Sequence, residues 1–154
     1  MLSPVSWSEE GVRIIEQTRL PQEEIWTDLT SVDQVAKAIR ILDVRGAPAI
    51  GIAAAFGMAL AARLQPGSDP ASVAQAVRRA GEQLAATRPT AVNLFWAIER
   101  IKSRTERALS KGSDADTLRK QILEEAEAIR EEDIASCKAI GKHGADLMPE
   151  SGTV

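Results

Sequence analysis

The sequence predicts a mainly helical α+β fold, in which a small N-terminal antiparallel β-hairpin leads into a helical domain. Three observations predict it. Aromatic residues make up only 3% of the 154 residues, with no tyrosine, against 44% hydrophobic residues overall. The core is therefore built from Ala, Ile, Leu and Val, which favours tightly packed helices over a β-sandwich. From residue 31 onward, apolar residues recur at spacings of three and four; before it, the apolar runs are short and bounded by turn residues. A chain of this length holds one domain with a real core, or part of a larger one.

The first thirty residues form the β region. "VRIIEQT" and "EIWTDLT" flank "RLPQE", with Pro21 marking the turn of a hairpin. Ser31 is placed as an N-cap, and Gln34 three residues later completes a capping box. The short helix that follows has Val35, Ile39 and Leu42 on its apolar stripe, and residues 43–47 break it. Pro48 suits the first position of the next helix, where its missing N–H is no loss. That helix runs to about Leu64 and ends at "QPGSDP". Asp69 and Pro70 repeat the cap-and-proline arrangement, opening a third helix with Val73, Val77, Ala80 and Leu84 on one face. "TRPTA" (87–91) punctuates again before a fourth helix bearing Ala91, Leu94, Phe95, Ile98 and Ile101.

After the loop "SKGSDAD", a long polar-faced helix carries Leu118, Ile122, Ala126 and Ile129. Its acidic run "REED" (130–133) reads as a solvated face or as a joint between two helices. Ile134, Cys137 and Ile140 continue a stripe towards Gly141 and Gly144. "DLMPESGTV" then reads as a turn over 149–152, with Thr153 and Val154 as the first residues of a strand. The predicted organisation is a hairpin region at 1–30, a helical domain at 31–148, and the start of a further domain at 149–154.

Composition excludes several functions. The net charge of −3 and isoelectric point near 5.3 leave no basic surplus to neutralise a run of phosphates, which argues against nucleic-acid binding. The single cysteine, Cys137, rules out an internal disulfide framework and a cysteine-based zinc site, and suits a reducing cytoplasm. The opening "MLSPVSWSEEGVR" has no basic segment followed by an apolar one, so no secretory signal is expected. Residues 46–62 carry no charge, at the lowest edge of what crosses a bilayer. Most are Ala or Gly and Pro48 sits near one end, so a buried helix is expected rather than a membrane span.

Chemistry concentrates at "DVRGAPAIG". A helix start leaves backbone N–H groups unpaired and carries the positive end of the helix dipole. Gly46 lets a ligand approach the main chain, and Arg45 adds a planar donor fork suited to phosphate or carboxylate. Together they make a candidate anion site; the alternative is that Gly46 merely turns the chain and Arg45 caps a neighbouring helix. Arg88, before Pro89-Thr90-Ala91, repeats the pattern, and two such arginines can converge on one anion or remain separate. Asn93, three residues after Thr90, is a weaker candidate. Cys137 lies on an apolar stripe and is expected to be a small core residue. His143, beside Lys142, is expected to stabilise a helix end rather than hold a metal. No Walker-type loop, GxGxxG or nucleophile elbow occurs.

At these residues a resemblance becomes specific. "AIRILDVRGAPAIGIAAAFGMALAA" and "TRPTAVNLFWAIERI" resemble the signature segments of the methylthioribose-1-phosphate isomerases. That group is related to ribose-1,5-bisphosphate isomerases and to the regulatory subunits of translation initiation factor 2B. "EQTRLP" and "AIGKHGADLMPESGTV" are similar as well, so the resemblance covers nearly the whole chain.

It implies an aldose–ketose isomerase of methionine salvage that converts 5-methylthioribose 1-phosphate to 5-methylthioribulose 1-phosphate without a cofactor or metal. It implies substrate contacts at Arg45, Gly46, Ala47 and Arg88, with the catalytic cysteine and aspartate beyond Val154 in a Rossmann-like domain. That absent domain would also supply most of a homodimer interface. On this reading the chain is an N-terminal portion, inactive alone. The alternatives are a stand-alone helical binding module and the N-terminal part of a ribose-1,5-bisphosphate isomerase.

Overall fold

The computed structural model describes residues 3–148 and shows a three-stranded antiparallel sheet followed by five helices. The strands are β1 (Val5–Trp7), β2 (Val12–Ile15) and β3 (Trp26–Leu29), in that spatial order. Val12 and Ile14 are buried while Arg13 faces solvent, the alternation expected of a strand with one covered face. Arg13 stands directly opposite Asp28 and pairs with it at 2.6 Å. The hairpin expected from the sequence is β2–β3; β1 is an addition that sequence reading does not single out, being only three residues long. A side chain at Gly11, on the β1–β2 turn, would put its Cβ 2.2 Å from the Leu29 carbonyl oxygen, so only glycine fits there.

Helix α1 (Val32–Arg40) starts at the expected capping box of Ser31 and Gln34. Leu42 does not extend its stripe. The helix ends at Arg40, Leu42 takes a left-handed conformation (φ 68°), and its side chain is 39% exposed. The turn instead delivers Val44 to the core.

Helix α2 (Ala47–Leu64) starts one residue before the expected Pro48 and is the centre of the molecule, packing against all four other helices and two strands. By length and composition it qualifies as a membrane span, yet 72% of it is buried by protein neighbours. Its Ala and Gly residues let those neighbours approach closely.

Helix α3 (Pro70–Ala85) is capped by Asp69, and α4 (Val92–Ser110) follows the 87–91 loop. Within α4 the buried face is Leu94, Ala97, Ile98 and Ile101; Phe95, expected on that stripe, is turned outward and 38% exposed. Helix α5 (Ala115–Ala145) is one uninterrupted helix of 31 residues, so residues 130–133 form no joint. Leu118, Ile122, Ala126 and Ile129 are buried as expected. Beyond them the expected stripe fails: Ile134 is half-buried, while Cys137 and Ile140 are exposed. Every residue from Ala135 to Met148 is exposed, so the last turns of α5 run past the bundle and pack on nothing among the described residues. The turn and strand expected over 149–154 lie outside the described residues.

Candidate functional site

Helices α1, α3 and α5 are closed at their starts by their own side chains, from Ser31, Asp69 and Asp114. Helices α2 and α4 are not: neither Gly46 nor Ala91 supplies a side-chain hydrogen bond to the first turn. Gly46 sits at φ 95°, a backbone conformation that favours glycine. Each uncapped start is preceded by an arginine, Arg45 in one case and Arg88 in the other.

The two starts also adjoin. Gly51 of α2 lies against the Asn93 carbonyl of α4. Gly51 is four residues from Ala47 and Asn93 one from Val92, so the contact lies within about 6 Å of either start along the helix axis. The loops 45–47 and 88–91 therefore enter at the same end of the bundle, which brings two arginine-bearing loops and two helix starts without side-chain caps together.

Arg45 is exposed and Arg88 half-buried. The Arg45 guanidinium donates to the Gln17 carbonyl. The Gln17 N–H donates to the Asp43 carbonyl, and the Thr18 hydroxyl to the Asp43 carboxylate at 2.6 Å. The loop after β2 is thus latched onto the arginine loop. The sequence singled out "EQTRLP" only as part of a resemblance; a contact 28 residues apart leaves no local signal.

Beside the helix starts is an open groove of about 460 Å³. Pro48, Gly51 and Ile52 of α2 line it, with Val92, Asn93 and Trp96 of α4 and Ile129, Glu132, Asp133 and Ser136 of α5. Asn93 is the sequence candidate that reaches it. Arg45 and Arg88 stand upstream of its walls, and Cys137 and His143 lie on exposed turns of α5 outside it. The α5 wall is not marked in the sequence, where residues 130–133 read as a solvated face or a joint between two helices.

One wall carboxylate is neutralised in place. Glu132 accepts from Arg100 at 2.5 and 2.7 Å, and Arg100 also stacks 5.4 Å over the Trp96 ring. The hydrogen bond from Arg100 holds the Glu132 carboxyl below the usual carboxylate range, and Glu132 in turn raises the Arg100 pKa. Glu132 therefore remains an ionised partner of Arg100 at neutral pH and is a poor proton donor.

The model of the Initiation factor 2 subunit family matches residues 43–154. The chain belongs to this family. Among curated family relatives, the methylthioribose-1-phosphate isomerase of Trichlorobacter lovleyi is 50% identical over 97% of this chain and 43% of its own length. The 5-deoxyribose 1-phosphate isomerase of Moorella thermoacetica is 43% identical over 99% of this chain and 43% of its own. A crystal form of the 5-methylthioribose 1-phosphate isomerase from Pyrococcus horikoshii OT3 superposes with a TM-score of 0.91 at 38% identity, covering 98% of this chain and 42% of that one. Subunit delta of translation initiation factor eIF-2B from A. fulgidus gives 0.88, also at 38% identity, covering 98% and 43%. This chain thus spans less than half the length of the relatives it matches, and corresponds to their N-terminal portion.

Proposed function

We propose that the chain is the substrate-holding, N-terminal part of an S-methyl-5-thioribose-1-phosphate isomerase. One observation carries the reading: two side-chain-uncapped helix starts adjoin, and each follows an arginine. Arg45, Gly46 and Ala47 on one side and Arg88 on the other hold the phosphate of the sugar. Orphan N–H groups, helix dipoles and guanidinium donors all favour a dianion there. The anomeric oxygen of this substrate carries the phosphate, so no free aldehyde exists. An acid must assist ring opening, and a hydrogen must then move from C2 to C1. The reading assigns those steps to a cysteine and an aspartate in the part of the relatives that this chain does not span. It makes residues 1–154 inactive by themselves.

The test is a chimera in which this chain replaces the matched N-terminal part of the Trichlorobacter lovleyi isomerase. The chimera should turn over 5-methylthioribose 1-phosphate, while residues 1–154 alone should not. Arg45→Ala in the chimera should raise KM about 10- to 100-fold, the loss of a charge-assisted contact. An inactive chimera, an active isolated chain, or an unchanged KM in Arg45→Ala would each overturn the reading. The Moorella relative favours a second substrate, 5-deoxyribose 1-phosphate, which carries the same phosphate. Comparing kcat/KM for the two sugars in the chimera decides between them.

A further inference from the structure

At Gly51 the α2 helix lies directly against the backbone of α4. A Cβ at this position would lie 2.8 Å from the Asn93 carbonyl oxygen, 3.4 Å from its carbonyl carbon and 3.5 Å from the Ala97 Cβ. The obstacle is backbone, so a larger residue forces one helix start to move relative to the other. Gly57 and Gly81, in the same core, differ in kind. A Cβ at Gly57 would meet Leu84 Cδ1 and Val35 Cγ1 at 3.1 Å, and one at Gly81 would meet Met58 Cε at 3.1 Å. Those are side-chain atoms that can yield by rotating.

Elsewhere α2 packs closely with alanine, at Ala53, Ala54, Ala55, Ala59 and Ala62, all buried, and with a glycine at Gly57, where only side-chain atoms stand in the way. Glycine is a costlier helix residue than alanine. Within α2, a need for glycine imposed by facing backbone is therefore local to the point where the two arginine-led starts meet.

We propose that Gly51 is a positioning residue. Its missing side chain sets the spacing between the 45–47 and 88–91 loops, and through that spacing the affinity for the sugar phosphate. The inference rests on the substrate-holding reading above. Two loops that clasp one anion must sit at a fixed separation, and a misplacement of about 1 Å costs an enzyme on the order of a hundredfold.

The test measures KM, kcat and the thermal midpoint in the full-length chimera. Gly51→Ala should raise KM for 5-methylthioribose 1-phosphate about tenfold or more. Gly57→Ala, which crowds α2 away from the helix starts, should lower the midpoint and leave KM within about twofold. Should Gly51→Ala fail to fold, Ala97→Ser adds one atom on the α4 side of the same contact and should raise KM about threefold. A KM unchanged in the foldable variant overturns the proposal. Arg45→Ala separates the two claims: if it also leaves KM unchanged, the substrate-holding reading falls. If it raises KM while Gly51→Ala and Ala97→Ser do not, only the positioning role falls.

Discussion

Asp69 and Asp114 each accept backbone N–H groups at a helix start, Asp69 from Ala71 and Ser72 and Asp114 from Thr117. The Ser72 hydroxyl and the Ala71 N–H hold the Asp69 carboxyl below its usual value, and the Thr117 N–H does the same for Asp114. Asp28 is held down by Arg13 and then by Ser8. With folded-state values depressed, the unfolded chain takes up protons first as pH falls, so stability rises with pH across that range. Their contribution is complete above the ordinary carboxylate value of about 4 and is lost as pH drops through the folded-state values. The thermal midpoint should stay level from about pH 7 to 5 and decline below about 4, with a shallower decline in Asp114→Asn. Calorimetry across that range checks this; a midpoint that holds steady down to about pH 2 contradicts it.

Among the elements, α2 depends on a residue from far along the chain. Arg119 of α5 donates to the Ala62, Gln65 and Gly67 carbonyls at 3.1, 2.8 and 2.6 Å, closing the end of α2 with one guanidinium. Arg119→Ala should destabilise the chain by about 1.5–3 kcal/mol, since it strands carbonyls at a helix end. Arg119→Lys should recover only part of that, because an ammonium lacks the planar fork. Urea unfolding checks both.

This contact also shows where sequence reading stops. The capping box at Ser31 and the cap at Asp69 were legible because the partners lie within three residues. Helix existence was legible from periodicity. Periodicity does not say which of two adjacent apolar residues faces inward, and Phe95 was misassigned beside Leu94. Nor does it say whether a neighbour covers a stripe, which is why Cys137 and Ile140 proved exposed. In the candidate site, the arginine-led helix starts were legible as a repeated local pattern. Their adjacency and the α5 wall of the groove were not, since both arise from contacts tens of residues apart.

At the scale of the whole molecule, large apolar side chains remain uncovered. Val92 is 77% exposed, Ile140 71% and Leu147 86%, with Trp96 half exposed between α4 and the groove. Exposed apolar surface drives association. Purified residues 1–154 should scatter light as species heavier than the 16.6 kDa monomer. Paired Ile140→Lys and Leu147→Lys changes should raise the monomer fraction; a sharp monomer peak from the unaltered chain would contradict this.

The latch from Arg45 to the Gln17 carbonyl gives the sheet a part in ligand affinity under the proposed function. An arginine side chain that swings freely loses about 2 kcal/mol of rotamer entropy when an anion arrests it. Here one N–H is already moored to the loop after β2, and four others stay available. Much of that ordering is complete before any ligand arrives. The sheet, through the loop that follows β2, then serves as the fixed shore to which a mobile cation is tied.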